Sequence, residues 1–275
     1  MKFGVVDFLN AYPLYYYFES NLNYLLIRDI PSRLSEMLYE KKVDIALVSS
    51  IEYYNHREKY SFFPKLCISS QGPVESIRLF LPGYFNPENN EITKSFLNHM
   101  AKFQDNRFTF YFDNATKSSV IMLQIIINHF FPDKKFIFRK INPPYDEKLF
   151  HNLENNEALL LIGDAALTNR NRLSIDLGQW YNDIFNLPFV YAMWIYHQNI
   201  DNFDFSILND AYQYSENNFA KMVFSASERF KFDAEFIKKY LSKNISYSMD
   251  NTKLNGLEYF FTKYENIKDK FIITK

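Results

Sequence analysis

The stretch LLLIGDAAL, residues 159–167, decides how the chain is read. Leu159 to Ile162 is an apolar run of strand length, too short for a helix. Gly163-Asp164 breaks it, and AALT opens a short helix. A strand that passes through a polar turn straight into a helix is the βα unit of a parallel sheet. The rhythm recurs on both sides. Lys2 to Val6 reads as a strand followed by a helix over Pro13 to Phe18, and Leu25 to Arg28 as the next strand. Pro31 and Ser32 then open a helix with Leu34, Met37 and Leu38 on one face. Val43 to Val48 is a buried strand running into Ser49 and Ser50, candidate caps for the helix beginning IEYYN.

Arg78 to Leu81 is a further strand, ended by Pro82-Gly83, after which the rhythm restarts. Phe108 to Phe112 leads through residues 113–119 into the apolar helix VIMLQIII; Phe136 to Arg139, Leu159 to Ile162 and Pro188 to Tyr196 are strands. Beyond these the pattern predicts helices alone, with apolar stripes at Phe236, Ile237, Tyr240 and Leu241 and at Leu254, Leu257, Phe260 and Phe261. Two βα series with crossings near residues 82 and 189 predict an α/β protein of two lobes. Residues 1–82 plus 189–275 form the first and residues 83–188 the second. Open α/β sheets bind ligands at the carboxyl ends of their strands, so a central inter-lobe cleft is expected. This is the periplasmic-binding-protein-like (type II) fold.

Composition narrows the function. A net charge of −1 offers no global attraction to nucleic acid or anionic lipid, so an anionic ligand must be held by local donors. The single cysteine, Cys67, excludes an internal disulfide and reads as a buried structural thiol. Asp7 and Asn10 interrupt what would be the apolar stretch of a signal peptide, and no segment nears the roughly 20 apolar residues of a membrane span. A cytoplasmic protein with no nucleic-acid or membrane partner is expected. None of the five histidines has metal-ligand spacing, and Walker, G-x-G-x-x-G and G-x-S-x-G motifs are missing. No metal or cofactor is expected.

Three places put polar groups where a strand should meet a helix: Asn10 in DFLNAYPL, the hydroxyls of Thr116, Ser118 and Ser119, and Gly163-Asp164. Free N–H groups at helix starts bind carboxylates without a lysine. Each place alone could be a plain N-cap. Three at one cleft edge point to a small dianion. In ISSQGPVESI, Gly72-Pro73 forces a turn that would set Ser76 at the hinge between lobes.

The stretches GVVDFLNAYPL, DIPSRLSEML, VDIALVSSIEYY, CISSQGPVESI, DNATKSSV, LLLIGDAAL and DLGQWYNDIFNLPFVYAMW together resemble the chorismate dehydratase family of the futalosine route to menaquinone, from residue 3 to about residue 194. The resemblance implies conversion of chorismate to 3-[(1-carboxyvinyl)oxy]benzoate plus water. It implies that Asn10 and Ser76 sit beside the reacting ring, with Ser70, Thr116, Ser118, Ser119, Gly163 and Asp164 binding substrate. One departure stands out: the family usually shows Ser-Arg-Thr-Ser where this chain has Thr116-Lys117-Ser118-Ser119, so a guanidinium with bidentate geometry becomes an ammonium. Two other readings are weighed. A carboxylate-binding protein of the same fold would release its ligand unchanged, but exported forms need a signal peptide and transcription factors need a helix-turn-helix. The later dihydroxynaphthoate synthase of the same pathway has an N-terminal motif and catalytic histidine with no counterpart here.

Overall fold

The computed structural model describes residues 1–19, 21, 23–83, 85–86, 91–113, 117–143, 145–200 and 203–274. In chain order the elements begin β1 (Lys2–Val5), α1 (Tyr12–Glu19), β2 (Leu25–Arg28), α2 (Pro31–Tyr39), β3 (Ile45–Ser49), α3 (Ser50–Asn55) and β4 (Tyr60–Ser70). There follow β5 (Ile77–Phe80), α4 (Ile92–Ala101), β6 (Thr109–Asp113), α5 (Lys117–Phe130), β7 (Ile137–Ile141), α6 (Glu147–His151), β8 (Glu157–Ile162), α7 (Gly163–Thr168), β9 (Ser174–Asp176) and α8 (Leu177–Phe185). The last group is β10 (Phe189–His197), α9 (Ser206–Asn217), α10 (Phe219–Phe230), α11 (Ala234–Lys239), β11 (Ser246–Ser248), α12 (Asn251–Ile267) and β12 (Ile272–Thr274).

The chain divides into two compact units, residues 1–70 with 188–257 and residues 71–187 with 258–275. Each is built on one six-stranded mixed sheet. The first has the order β11-β4-β10-β3-β1-β2, in which β1 runs parallel to β2 and β3 and β10 runs antiparallel to β3 and β4. The second has the order β12-β7-β6-β8-β5-β9, with β12, β7, β6 and β8 parallel and β5 antiparallel to both its neighbours.

The expected boundaries therefore shift. The first crossing falls at residues 70–71, not near 82, because β5 pairs β8 and β9 and so belongs to the second sheet. Residues 258–275, expected in the first lobe, belong to the second unit, where β12 adds a parallel strand beside β7. The tail is also not helical throughout: β11 pairs β4 at the edge of the first sheet. Strands of three residues carry no readable periodicity, which is why β9, β11 and β12 escape the sequence reading.

The eleven-residue β4 escapes it for another reason. Pro64 lies inside, and proline argues against a paired strand. The pairing jumps from Met193↔Cys67 to Ile195↔Phe62, so Pro64 falls in a bulge that asks no ladder bond of it. Elsewhere pattern and burial agree. Leu34 and Leu38 on α2 are fully buried, as are Ala46, Leu47 and Val48 on β3 and Met193, Trp194 and Ile195 on β10. Each buried Leu, Val, Ile or Met among them contributes roughly 1.5–3 kcal/mol on leaving water. Cys67 is buried as expected, and burial pushes its thiol up to about 11. Ser49 stands at the N-cap of α3 without a side-chain capping bond, and the Ser50 hydroxyl instead donates to the Val190 carbonyl at 2.8 Å.

Inside the first unit α12 lies hard against the chain entering β10. A Cβ built on Gly256 would collide with the Pro188 carbonyl oxygen, a backbone atom that cannot swing away. Gly256→Ala is expected to destabilise the protein by roughly 1–3 kcal/mol, although alanine is the better helix former. A lower denaturant midpoint at unchanged slope would show it.

Candidate active site

Because β1, β3 and β4 run in the same direction and β10 against them, the carboxyl ends of the first three and the start of β10 share one edge of the first sheet. Asn10 follows β1 in a single 3-10 turn, Leu9–Ala11. Its side-chain Oδ1 is buried without a hydrogen-bond partner among the described residues. Its carbonyl accepts the Tyr247 hydroxyl at 2.9 Å, so β11 fixes the turn from 237 residues away. The turn is braced on the other side by Asp7, whose carboxylate takes the Tyr15 hydroxyl at 3.0 Å and the Arg229 guanidinium at 2.6 Å. The bond from Asp7 holds Arg229 above the usual guanidinium range. Ser70, at the end of β4, shares a 2.8 Å hydrogen bond with the buried hydroxyl of Tyr191. The structure thus brings Asn10 and Ser70 to one sheet edge.

In the second unit the ends of β6, β8 and β9 and the start of β5 also share an edge. Ser76 stands just before β5 and is fully buried, its Oγ without a partner among the described residues. It lies inside the second unit, not at the boundary between units, which corrects the hinge expectation. The Gly163 N–H donates to the Ser76 carbonyl at 2.8 Å, joining two of the sequence candidates directly. Gly163 itself has φ +60, a conformation glycine adopts without strain, as it opens α7. Asp164 is half-buried in the first turn of α7. Ser118 and Ser119 are buried in the first turn of α5. Thr116 lies outside the described residues.

The sequence reading assigned no role to Asp176, yet the structure ties it to this edge. Its carboxylate accepts the N–H of Val74 at 3.1 Å, of Glu75 at 2.7 Å and of Gln179 at 3.0 Å. Burial pushes its carboxyl upward, while these three bonds and the Arg78 guanidinium pull it back. The available signal was DLGQ itself, an Asp placed to cap the helix that follows. What that pattern does not contain is the second job, since Val74 and Glu75 are about a hundred residues away. Asp113, at the end of β6, is likewise buried and accepts the Tyr145 hydroxyl at 2.9 Å.

Among the described residues no group of three or more His, Cys, Asp or Glu side chains is placed to hold a metal ion. No helix there is long and apolar enough to cross a membrane. Each edge taken by itself carries buried hydroxyls, and that of the second unit also carries helix-start N–H groups, donors of the kind that suit carboxylates.

Residues 1–266 match the family described as menaquinone biosynthesis. The chain belongs to that family. A curated relative, the chorismate dehydratase of Thermus thermophilus, is 23% identical over 216 residues, covering 71% of this chain and 69% of its own. Solved structures share the fold at low identity. A protein of Archaeoglobus fulgidus matches with a TM-score of 0.69 at 11% identity over 97% of each chain. The periplasmic aliphatic sulphonate-binding protein of Escherichia coli matches with a TM-score of 0.62 at 11% identity, over 98% of this chain and 87% of its own. A Candida albicans protein described as having the generic periplasmic-binding-protein fold gives 0.57 at 10% identity, over 99% of this chain and 95% of its own. This family member has the two-lobed, periplasmic-binding-protein-like fold expected from its sequence.

Tyr247 offers a check on how the Asn10 turn is held. Tyr247→Phe should cost roughly 0.5–1.5 kcal/mol by removing the donor to the Asn10 carbonyl. An unchanged urea midpoint would mean that the turn is fixed without it.

Proposed function

We propose that this menaquinone-biosynthesis protein is a chorismate dehydratase, a hydro-lyase that converts chorismate to 3-[(1-carboxyvinyl)oxy]benzoate and water. The observation that carries the reading is that Asn10 Oδ1 and Ser76 Oγ, both at strand-end edges, are two of the seven buried side-chain polar atoms with no hydrogen-bond partner among the described residues. A buried polar atom left unpaired costs roughly 1–3 kcal/mol, so its retention calls for a use. Both residues are those that the resemblance sets beside the reacting ring. The curated relative of the same name supports the assignment.

Chorismate carries a ring carboxylate, an enolpyruvyl carboxylate and a hydroxyl next to the ether-bearing carbon. The C–H bond at the ether-bearing carbon breaks, and its electron pair enters the diene, conjugated to the ring carboxylate. The neighbouring C–O bond then breaks and the hydroxyl leaves as water, completing a benzene ring. Aromatisation drives the step. We assign the proton to the substrate's own enolpyruvyl carboxylate, which returns it to the departing hydroxyl. Asn10 and Ser76 orient the reacting atoms, and the helix-start N–H groups near Ser118, Ser119 and Gly163 hold the carboxylates. Lys117 adds positive charge without the bidentate grip of the family's arginine. We also propose that the protein acts in the cytoplasm.

The first experiment is to incubate the purified protein with chorismate and weigh the products by mass spectrometry. A product lighter by one water, with a benzenoid ultraviolet spectrum, is expected. Chorismate that binds in calorimetry and returns unchanged would instead make this a binding protein of the same fold. Asn10→Ala should lower kcat by about 10²–10³-fold with a much smaller change in KM, as for other preorganised polar groups. Asp164 is the protein's rival for the base. If Asp164→Asn abolishes turnover while leaving affinity intact, the substrate-assisted step is wrong.

A further inference from the structure

The turn that presents Ser76 is held in a costly shape. The Ser76 N–H bonds back to the Val74 carbonyl at 2.7 Å, closing a three-residue turn around Glu75. Glu75 has φ +61, in the left-handed region that a residue with a side chain enters at a cost. Such strain persists where surrounding bonds over-determine the backbone, and it concentrates at functional sites. Here the surrounding bonds can be named. Asp176 accepts from Val74 and Glu75 N–H, Gly163 N–H holds the Ser76 carbonyl, and Arg78 bonds both the Glu75 carbonyl at 3.1 Å and its carboxylate at 2.7 Å. Of these partners only Asp176 grips two consecutive amides of the turn.

We propose that Asp176 is a positioning residue for the reaction: through the Val74 and Glu75 amides it locks the turn that fixes the orientation of the Ser76 hydroxyl. This rests on the reading that Ser76 touches substrate. The two oxygens of Asp176 divide the work. Oδ1 takes Val74 and also Gln179 at the start of α8, whereas Oδ2 serves Glu75 alone. The hold on Glu75 is therefore separable from capping the helix.

Two substitutions exploit this. Asp176→Asn turns an N–H donor toward the Glu75 N–H, so that bond is lost while Oδ1 is kept. Asp176→Ser keeps a good N-cap for α8 but is too short to hold the turn. Both should lower kcat for chorismate on the order of 10–100-fold, the scale of a small misplacement of a reacting group, with KM changed by less than about threefold. Added to Ser76→Ala, neither should slow the enzyme further, because Asp176 acts through Ser76. Losses that multiply in the double variant would overturn the proposal, as would wild-type kcat in both single variants. Amide hydrogen exchange supplies a readout independent of activity: the Glu75 amide should lose protection in both variants, and the Val74 amide in Asp176→Ser, while the rest of the second unit keeps it. Retained protection would also overturn the proposal. A wild-type enzyme that leaves chorismate intact would sink the dehydratase reading instead, and the exchange result would still decide whether Asp176 holds the turn.

Discussion

Strand direction governs where the chemistry of this protein collects. In both sheets most strands run in the same direction, joined by crossovers that return the chain to the same starting edge; an inserted strand, β10 or β5, runs against its neighbours, as does the edge strand β11 in the first sheet. Every turn that leaves a parallel strand, and every turn that enters the inserted one, must then lie on the same edge. Asn10, Ser50, Ser70 and Tyr191 meet on one such edge, and Ser76, Ser118, Ser119, Gly163, Asp164 and Asp176 on the other. Change the direction of β5 and Ser76 would move to the opposite end of its sheet, four residues or about 13 Å away.

Polar economy divides the residues of these edges into those whose side-chain polar atoms are paired within the protein and those whose atoms are not. Ser50, Ser69 and Ser70 all spend their hydroxyls internally, on Val190, Ser246 and Tyr191. Asn10 Oδ1 and Ser76 Oγ do not, although both atoms are buried. The backbones of the same two residues are pinned, Asn10 by Tyr247 and Ser76 by Gly163. A fixed main chain carrying an unspent side chain is the arrangement that orienting a substrate requires.

The charge of the chain fits a substrate with two carboxylates held by local dipoles. With a net charge of −1 the protein has no long-range pull on anions. Several strong cations near the edges are committed to protein carboxylates: Arg229 to Asp7 and Glu19, Arg28 to Glu19, Arg78 to Glu75. The Arg229 and Arg78 pairs brace the turns that carry Asn10 and Ser76.

The sequence by itself determined the βα rhythm, since a four-residue apolar run ending in Gly163-Asp164 has few other ways to be buried. It also placed Asn10 and Gly163-Asp164 where a strand gives way to a helix, because such residues stand out against apolar neighbours. Three things it did not determine. The boundary at residues 70–71 depends on β5 choosing β8 and β9 as partners, a pairing between segments some 80 to 100 residues apart. The strand character of β4 depends on a bulge that accommodates Pro64. The role of Asp176 depends on two amides a hundred residues upstream, where local sequence shows only a helix cap. The physical reason is common to all three. Periodicity and capping are local and are written in neighbouring residues, whereas hydrogen bonds between distant segments form only once the sheet has set its register.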